Sequence, residues 1–293
     1  MNFADRLAEA VRTKHSALVV GLDPVFPKLP DVLKAGVDPG DREAVAEVVK
    51  AYQRHVIEAV APYAAAVKPQ IAFYEQLGPA GLVAYEEAAH LAQDAGLLVI
   101  GDIKRGDIGS TASAYAAAHL PLADAVTVNP YLGTDSIDPF LKRCDETDGG
   151  LFVLVRTSNP SAADLQDRLV DGAPLHERVA QLVHRWGADL VGGCGYSSVG
   201  AVAGATAPEH LARLRQLMPR AWFLLPGVGA QGGRAADVAA AFGRDGLGAV
   251  VNSSRGILYA YGDTATVDWI DAVVAAARDL RDQLRQVSAQ APA

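Results

Sequence analysis

LLVIGDIKRGDI, residues 97–108, is an apolar run of strand length that leads directly into a group of charged residues. Its apolar part, residues 97–103, lacks strict alternation of apolar and polar positions, which is typical of a parallel strand covered on both sides. Asp102 and Lys104 are two residues apart in this extended run, so we expect both side chains to leave the same face of the strand. The carboxyl end of this strand is therefore predicted to carry charge.

Seven further apolar runs of similar length alternate with amphipathic stretches along the chain. They are residues 17–22, 64–67, 125–128, 151–155, 190–192, 222–225 and 248–251. Consecutive βα units give parallel strands with right-handed crossovers, and eight regular units fit a closed barrel better than an open doubly wound sheet. We predict one α/β domain, a (β/α)8 TIM barrel over residues 1–287, followed by a disordered tail at 288–293. Phe3, Leu7 and Val11 form an apolar stripe, which predicts an extra N-terminal helix before the first strand.

The composition limits the class of protein. A chain of 293 residues is ordinary for one α/β barrel, and 50% hydrophobic residues are enough to bury a large core. The net charge of −8 argues against general binding to nucleic acid or to an anionic membrane. With no leader-like or membrane-length apolar run, we expect a cytoplasmic protein. The two cysteines form no CxxC pair, so neither a disulfide framework nor a zinc site is indicated.

Charged residues recur where the predicted strands end, and in a barrel these ends converge on one mouth, where active sites form. Lys68 follows the second run, Asp102 and Lys104 end the third, and Asp107 lies in the next turn. We predict an alternating Lys68–Asp102–Lys104–Asp107 network, because partly buried charges need partners of opposite sign. Neighbouring carboxylates keep lysines protonated, which suits a general acid that delivers a proton to carbon. The alternative is a salt-bridge network that only closes the barrel.

The segment PGVGAQGG, residues 226–233, contains a GxGxxG pattern. A dinucleotide-binding interpretation would require the pattern to open a βαβ unit, but only one strand remains after it. We therefore predict a phosphate-binding loop in which the backbone at Gly227 and Gly229 and the following helix, from about Arg234, point at an anion. Arg255 follows the eighth strand and can contact phosphate oxygens through two N–H groups. The alternative is a glycine turn beside a surface arginine.

Two other segments carry polar groups at predicted strand ends. Thr157-Ser158-Asn159-Pro160 offers hydroxyl and amide groups that can recognise the edge of a planar heterocycle. Asp23, followed by Pro24, can bind sugar hydroxyls. Both segments are also good turn formers, so a purely structural role stays open for each.

Together these segments resemble the orotidine 5′-phosphate decarboxylase family, and in particular its longer bacterial (type 2) branch. The resemblance runs from about residue 15 to residue 262. It rests on Asp102-x-Lys104-x-x-Asp107-Ile108, Val67-Lys68-Pro69-Gln70-x-x-Phe73-Tyr74-Glu75, Gly21-Leu22-Asp23-Pro24 and Thr157-Ser158-Asn159-Pro160. The DxKxxD element is shared with related sugar-phosphate barrels, whereas the ordered set of segments is specific to this family.

The resemblance implies an enzyme that decarboxylates orotidine 5′-monophosphate to UMP and CO₂, the last step of de novo pyrimidine nucleotide synthesis, without metal or organic cofactor. It also implies roles for individual residues. Asp23 contacts the ribose, Lys68 bridges the ribose and the acid network, Asp102 faces the substrate carboxylate, Lys104 donates a proton to C6, Ser158 recognises the pyrimidine, and Gln231 and Arg255 hold the phosphate. Asp107 and Thr111 are contributed across the interface of a homodimer.

Two alternatives belong to other classes of protein. A metal-dependent sugar-phosphate barrel, such as a hexulose-phosphate synthase or a keto-gulonate-phosphate decarboxylase, would share DxKxxD and the phosphate loop. Such enzymes place an acid on the second strand, where this sequence has Lys68. A non-catalytic barrel would be favoured by loss of one charge of the network, and all four charges are present.

Overall fold

The computed structural model describes residues 1–205, 208–228, 233–262 and 269–290. Parallel strands form a closed barrel in the order β1-β10-β9-β8-β5-β4-β3-β2, so the predicted (β/α)8 fold is confirmed. The barrel strands are β1 (Leu18–Leu22), β2 (Ala66–Pro69), β3 (Leu98–Arg105), β4 (Ala125–Val128), β5 (Gly150–Arg156), β8 (Ser197–Ala203), β9 (Ala221–Pro226) and β10 (Ala249–Ser253). A short antiparallel hairpin, β6 (Leu169–Val170) with β7 (Ala173–Pro174), lies in the loop after β5.

One helix precedes the first barrel strand, and the others follow strands along the chain. They are α1 (Phe3–Lys14), α2 (Asp31–Lys34), α3 (Arg42–Val60), α4 (Ala72–Glu75), α5 (Pro79–Asp94), α6 (Gly109–His119), α7 (Thr134–Thr147), α8 (Leu175–Trp186), α9 (Pro208–Leu217), α10 (Arg255–Leu258) and α11 (Trp269–Ala289). The helix predicted from about Arg234 is a 3₁₀ helix, Ala235–Ala241. The domain boundary at residue 287 stays a prediction. None of the helices within the described ranges is both long and apolar enough to cross a membrane.

The predicted position of the sixth barrel strand is wrong. Within residues 190–192, only Val191 pairs, in an isolated antiparallel bridge to Ser197, and the barrel strand is β8. A Cβ at Gly200, in the middle of β8, would lie 2.5 Å from the Trp222 carbonyl oxygen and 2.7 Å from the Phe152 ring. The Trp222 backbone and the Phe152 ring therefore leave no room for a side chain at position 200, and this requirement cannot be read from local hydrophobicity. The sixth barrel strand therefore begins at Ser197, five residues after the predicted run ends.

The extra N-terminal helix is present and closes one end of the barrel. Phe3 and Leu7 of α1 are buried together with inward-facing strand residues. The Phe3 ring packs edge-on against Phe152, with 5.9 Å between ring centroids. The Asn2 side chain caps the helix by accepting a hydrogen bond from the Asp5 N–H. Because α1 fills the amino-terminal end of the barrel, the cavity that remains opens at the carboxyl ends of the strands.

The closing role of α1 predicts a difference between two identical substitutions. Leu7 is fully buried under the barrel, whereas Leu82 on α5 is 44% exposed. Leu7→Ala should lower the free energy of unfolding by about 2–5 kcal/mol, because it leaves a cavity among apolar side chains. Leu82→Ala should change it by about 0.5 kcal/mol or less. Urea unfolding followed by circular dichroism measures both, and equal losses would contradict this account of α1.

Candidate active site

The side chains inside the barrel change from apolar to polar near the mouth. Residues two apart on a strand share a face, so each strand contributes a column of inward-facing positions. On several strands one two-residue step separates a buried apolar residue from a polar residue that lines the cavity. The pairs are Ala66 and Lys68, Ile100 and Asp102, Ala125 and Thr127, and Val250 and Asn252.

The opposite side of the mouth stays apolar. Leu154, Val202 and Leu224, from β5, β8 and β9, line the same cavity, which has a volume of about 470 Å³. A volume of this size accommodates a small-molecule ligand. The cavity therefore has a charged wall, on which Lys68 and Asp102 lie, and an apolar wall, which suits a ligand with a planar ring and polar substituents.

The Asp102 carboxylate is the centre of the charged wall. Its Oδ2 accepts hydrogen bonds from Lys68 Nζ at 2.5 Å and from Gln70 Nε2 at 3.0 Å. Its Oδ1 accepts from the Thr127 hydroxyl at 3.0 Å and pairs with Lys104 Nζ. The Asp102 and Lys68 side chains are only 8% and 7% exposed. Four donors thus replace the water that this carboxylate loses on burial.

The pKa values of the two buried groups follow from this pairing. Burial alone would raise the pKa of Asp102, but the Lys68 and Lys104 ammonium groups outweigh it and hold that pKa well below its usual range. Burial would lower the pKa of Lys68, but the Asp102 and Asp23 carboxylates outweigh it and raise that pKa. Both groups are therefore ionised at neutral pH, and the pair forms a fixed field at the floor of the cavity.

A β-bulge places Lys104 beside Asp102. Between the β3–β4 pairs Gly101–Val126 and Arg105–Val128, β3 advances four residues while β4 advances two. Lys104 lies in this bulge with φ of 46°, in the left-handed region that non-glycine residues rarely adopt. Its backbone N–H donates to the Thr127 hydroxyl at 2.9 Å. Asp102 and Lys104 therefore meet as expected, but by a bulge that re-aims the lysine, not by regular strand alternation.

The structure separates Asp107 from the other three predicted charges. Asp107 Oδ1 accepts a hydrogen bond from the Ile108 N–H at 2.8 Å, and within the described part of the chain Asp107 forms no ion pair. Thr111 is exposed on α6. A single chain thus brings together Lys68, Asp102 and Lys104, whereas Asp107 and Thr111 are not among the residues that line its cavity.

Asp23 lies at the β1 edge of the cavity. Its Oδ1 is buried and has no hydrogen-bond partner among the described residues. The segment is held by Tyr259, whose hydroxyl donates to the Asp23 carbonyl at 2.7 Å and accepts from the Val25 N–H at 2.9 Å. A buried, unpaired carboxylate oxygen beside an open cavity is suited to accept hydrogen bonds from ligand hydroxyls.

The predicted phosphate loop is described in part. Gly227 lines the cavity with φ of 108°, and its carbonyl accepts from the Gly233 N–H at 3.1 Å. Arg255, the first residue of α10, lines the same edge of the cavity. Gly229 and Gln231 lie outside the described residues. Ser158 lines the cavity in the loop after β5, and its role in recognising a base stays a prediction.

Sequence reasoning assigned no role to three polar residues of the cavity, Gln70, Thr127 and Asn252. Gln70 and Thr127 donate directly to Asp102. Asn252 is buried, its Nδ2 donates to the Ser254 hydroxyl at 3.3 Å, and its Oδ1 has no partner within the described ranges. All three side chains are uncharged, so a search for ionisable residues at strand ends does not find them. The same two-residue step that separates Ala66 from Lys68 would have found Thr127 and Asn252.

Comparison with known proteins shows which family the chain belongs to. Residues 18–270 match the sequence model of the orotidine 5′-phosphate decarboxylase / HUMPS family. The chain belongs to this family. An orotidine 5′-phosphate decarboxylase of Rhodopirellula baltica is 46% identical over 97% of this chain and 99% of its own. A solved Toxoplasma gondii structure aligns with a TM-score of 0.85 at 33% identity over 99% of both chains. A Leishmania donovani OMP decarboxylase aligns with a TM-score of 0.78 at 35% identity over 98% of this chain and 99% of that one.

The charge cluster of this family member predicts unequal effects of two substitutions on stability. Asp102→Ala leaves the Lys68 ammonium buried without its main partner and should lower the free energy of unfolding by about 3–5 kcal/mol. Lys104 is 42% exposed, so Lys104→Ala should cost about 1 kcal/mol or less. Urea unfolding of the ligand-free proteins measures both values. A Lys104→Ala protein that is as unstable as Asp102→Ala would show that this ranking by burial is wrong.

Proposed function

We propose that this protein is an orotidine 5′-phosphate decarboxylase that converts orotidine 5′-monophosphate to UMP and CO₂, the last step of de novo pyrimidine nucleotide synthesis. The observation that carries the proposal is the Lys68–Asp102–Lys104 cluster, with Lys68 and Asp102 buried, at the barrel mouth of a member of this family. Relatives that share 38–46% identity over 97% of this chain carry that enzyme name.

The two walls and the phosphate loop suggest how the substrate lies. The phosphate binds at Arg255 and the Gly227 backbone, together with Gly229 and Gln231. The ribose hydroxyls bind Asp23, whose Oδ1 lacks a partner in the described chain, and Lys68. The pyrimidine lies against the apolar wall, where Ser158 recognises its edge. This orientation brings the substrate carboxylate to the charged wall, facing Asp102.

The reaction must overcome a large barrier, because the electrons left at C6 have no conjugated acceptor. The catalyst must supply a reduction toward the upper part of the range of ~8–23 kcal/mol. Asp102 repels the substrate carboxylate in the ground state. As the C–C bond breaks and CO₂ leaves, the electron pair stays on C6, where the Lys104 ammonium stabilises it and then donates a proton to it. Lys104 regains its proton from water.

The lysine cluster supplies positive charge where related barrels use a cation. Lys68 lies on β2, at the strand where metal-dependent sugar-phosphate barrels place an acid. The ammonium pairs with Asp102 at 2.5 Å, so this carboxylate is already neutralised by the protein. We therefore infer a reaction that depends on no metal and no organic cofactor, and the metal-dependent alternative is the second candidate.

Turnover of orotidine 5′-monophosphate by EDTA-treated protein, followed by absorbance, tests the assignment. We expect turnover in EDTA and a loss of at least about a hundredfold in kcat for Lys104→Ala, because the proton donor is removed. Lys142→Ala, an exposed lysine on α7, is the matched control and should turn over like the wild type. No turnover by folded wild-type protein would sink the assignment, and sugar phosphates with added Mg²⁺ would be assayed next.

A homodimer would complete the predicted tetrad. Asp107 and Thr111 do not reach the cluster within one chain, and the loops beside them expose apolar side chains: Ile108 at 52% and Tyr131 at 76%. The two loops are joined, because the Asn129 N–H donates to the Arg105 carbonyl at 2.8 Å. Exposed apolar groups of this size mark interaction surfaces. We propose that a second copy covers this surface and contributes Asp107 and Thr111 to the first copy's cavity.

Mixing two inactive variants tests the shared site. In a symmetric dimer formed from Lys104→Ala and Asp107→Ala chains, one cavity carries both substitutions and the other carries neither. An equal mixture, unfolded and refolded together, should therefore recover about a quarter of wild-type activity. Each variant refolded alone is the control. Recovery no greater than the sum of the two separate variants would show that Asp107 acts within its own chain or does not act at all.

A further inference from the structure

We propose that Gln166 and Asp167 are positioning residues that fix the segment Thr157–Asn159 against the cavity and thereby determine how tightly the base of the nucleotide binds. The proposal rests on the proposed function, since it concerns the pyrimidine side of the same cavity. Thr157, Ser158 and Asn159 all line the cavity. They directly follow β5 and precede the β6–β7 hairpin.

Two side-chain atoms of Gln166 form hydrogen bonds with Thr157, the first residue of this segment. The Thr157 N–H donates to Gln166 Oε1 at 2.8 Å, and Gln166 Nε2 contacts the Thr157 hydroxyl at 2.8 Å. The side-chain amide therefore pairs with both the backbone and the side chain of Thr157. Two bonds to one residue fix its orientation as well as its position, and Ser158 is the next residue along the chain.

Asp167 holds the residue on the other side of Thr157. Arg156, the last residue of β5, donates from Nε to Asp167 Oδ1 at 2.8 Å and from Nη2 to Asp167 Oδ2 at 3.0 Å. A bidentate pair between guanidinium and carboxylate has a defined planar geometry. Arg156 Nη1 also donates to the Thr157 carbonyl. The Arg156 side chain consequently links Asp167 to the backbone that enters the cavity.

The pair Gln166–Asp167 is itself attached to α8. The backbone N–H of His176 donates to the Gln166 carbonyl at 2.9 Å, and His176 Nδ1 lies 2.9 Å from the same oxygen and 3.2 Å from Asp167 Oδ1. Burial lowers the pKa of His176, so its ring is neutral at pH 7, and two acceptors beside Nδ1 place the ring proton there. A continuous chain of hydrogen bonds thus runs from a barrel helix to the cavity segment.

A cation site explains the same group of residues less well. Ligand atoms of Asp167, His176 and His210 lie within 4.8 Å of one another. Both Asp167 oxygens, however, already accept from Arg156. The His176 and His210 rings are stacked, with 5.0 Å between centroids and 23° between planes. Nitrogen lone pairs lie in the ring plane, so two nearly parallel rings do not converge on one ion. The arrangement favours anchoring of the loop.

The test compares two ligands that differ by the base. UMP and ribose 5-phosphate are titrated into the full-length protein by calorimetry. Gln166→Leu removes both bonds to Thr157 and should weaken UMP binding about tenfold. Ribose 5-phosphate binding should stay unchanged, because Arg255 and Asp23 lie on the other side of the cavity opening; this also shows that the variant is folded. Gln166→Glu keeps an acceptor for the Thr157 N–H and hydroxyl and should stay within about threefold of wild type.

A second variant distinguishes loss of the Gln166–Thr157 hydrogen bonds from a general loss of structure. Thr157→Val lacks the hydroxyl partner, so adding Gln166→Leu to it should cost less than Gln166→Leu costs in the wild type. Equal UMP affinity in wild type and Gln166→Leu would overturn the inference, as would parallel losses for UMP and ribose 5-phosphate. Wild-type protein that does not bind UMP at all would contradict the proposed function itself, which is a different result.

Discussion

The Asp102 carboxylate is buried at the floor of the cavity, and the residues around it donate the hydrogen bonds that make its burial possible. Such a charge is strongly unfavourable unless donors replace its lost hydration. Lys68 and Gln70 approach from the β2 side, Thr127 from β4, and Lys104 from the bulge that follows Asp102 on β3. The neighbouring strands β2, β3 and β4 therefore have to keep a fixed register. A closed barrel fixes it, because each strand is paired on both sides.

The same arrangement creates the conditions for the proposed chemistry. Two ammonium groups and one carboxylate, fixed before a ligand arrives, form a field that needs no reorganisation during the reaction. Bringing a second carboxylate to Asp102 costs free energy, which binding of a distant phosphate can offset. The charged wall stabilises the charges that develop during the reaction. The apolar wall of Leu154, Val202 and Leu224 binds the flat ring of the substrate.

Rigid and adjustable parts of the site are divided between strands and loops. Lys68 and Asp102 lie on barrel strands and are held by short ion pairs. The segment after β5 lies beyond the strand, and side-chain hydrogen bonds from Gln166 and Asp167 help to hold it. This division is common in barrels, where the scaffold fixes the reactive groups and the loops adapt to the ligand.

The sequence by itself determined the barrel, because alternating strand and helix patterns leave few ways to bury both faces of each strand. It also predicted that Lys68, Asp102 and Lys104 lie close together, since the carboxyl ends of parallel barrel strands converge on one mouth. It misplaced the sixth strand, where Gly200 is required by its neighbours Phe152 and Trp222 and not by local hydrophobicity. Only the tertiary structure decided that Lys104 reaches Asp102 through a bulge, because register depends on pairing with β4. Only the tertiary structure, likewise, left Asp107 outside the cluster and brought Gln166 to Thr157, because distances between loops are set by packing and not by spacing along the chain.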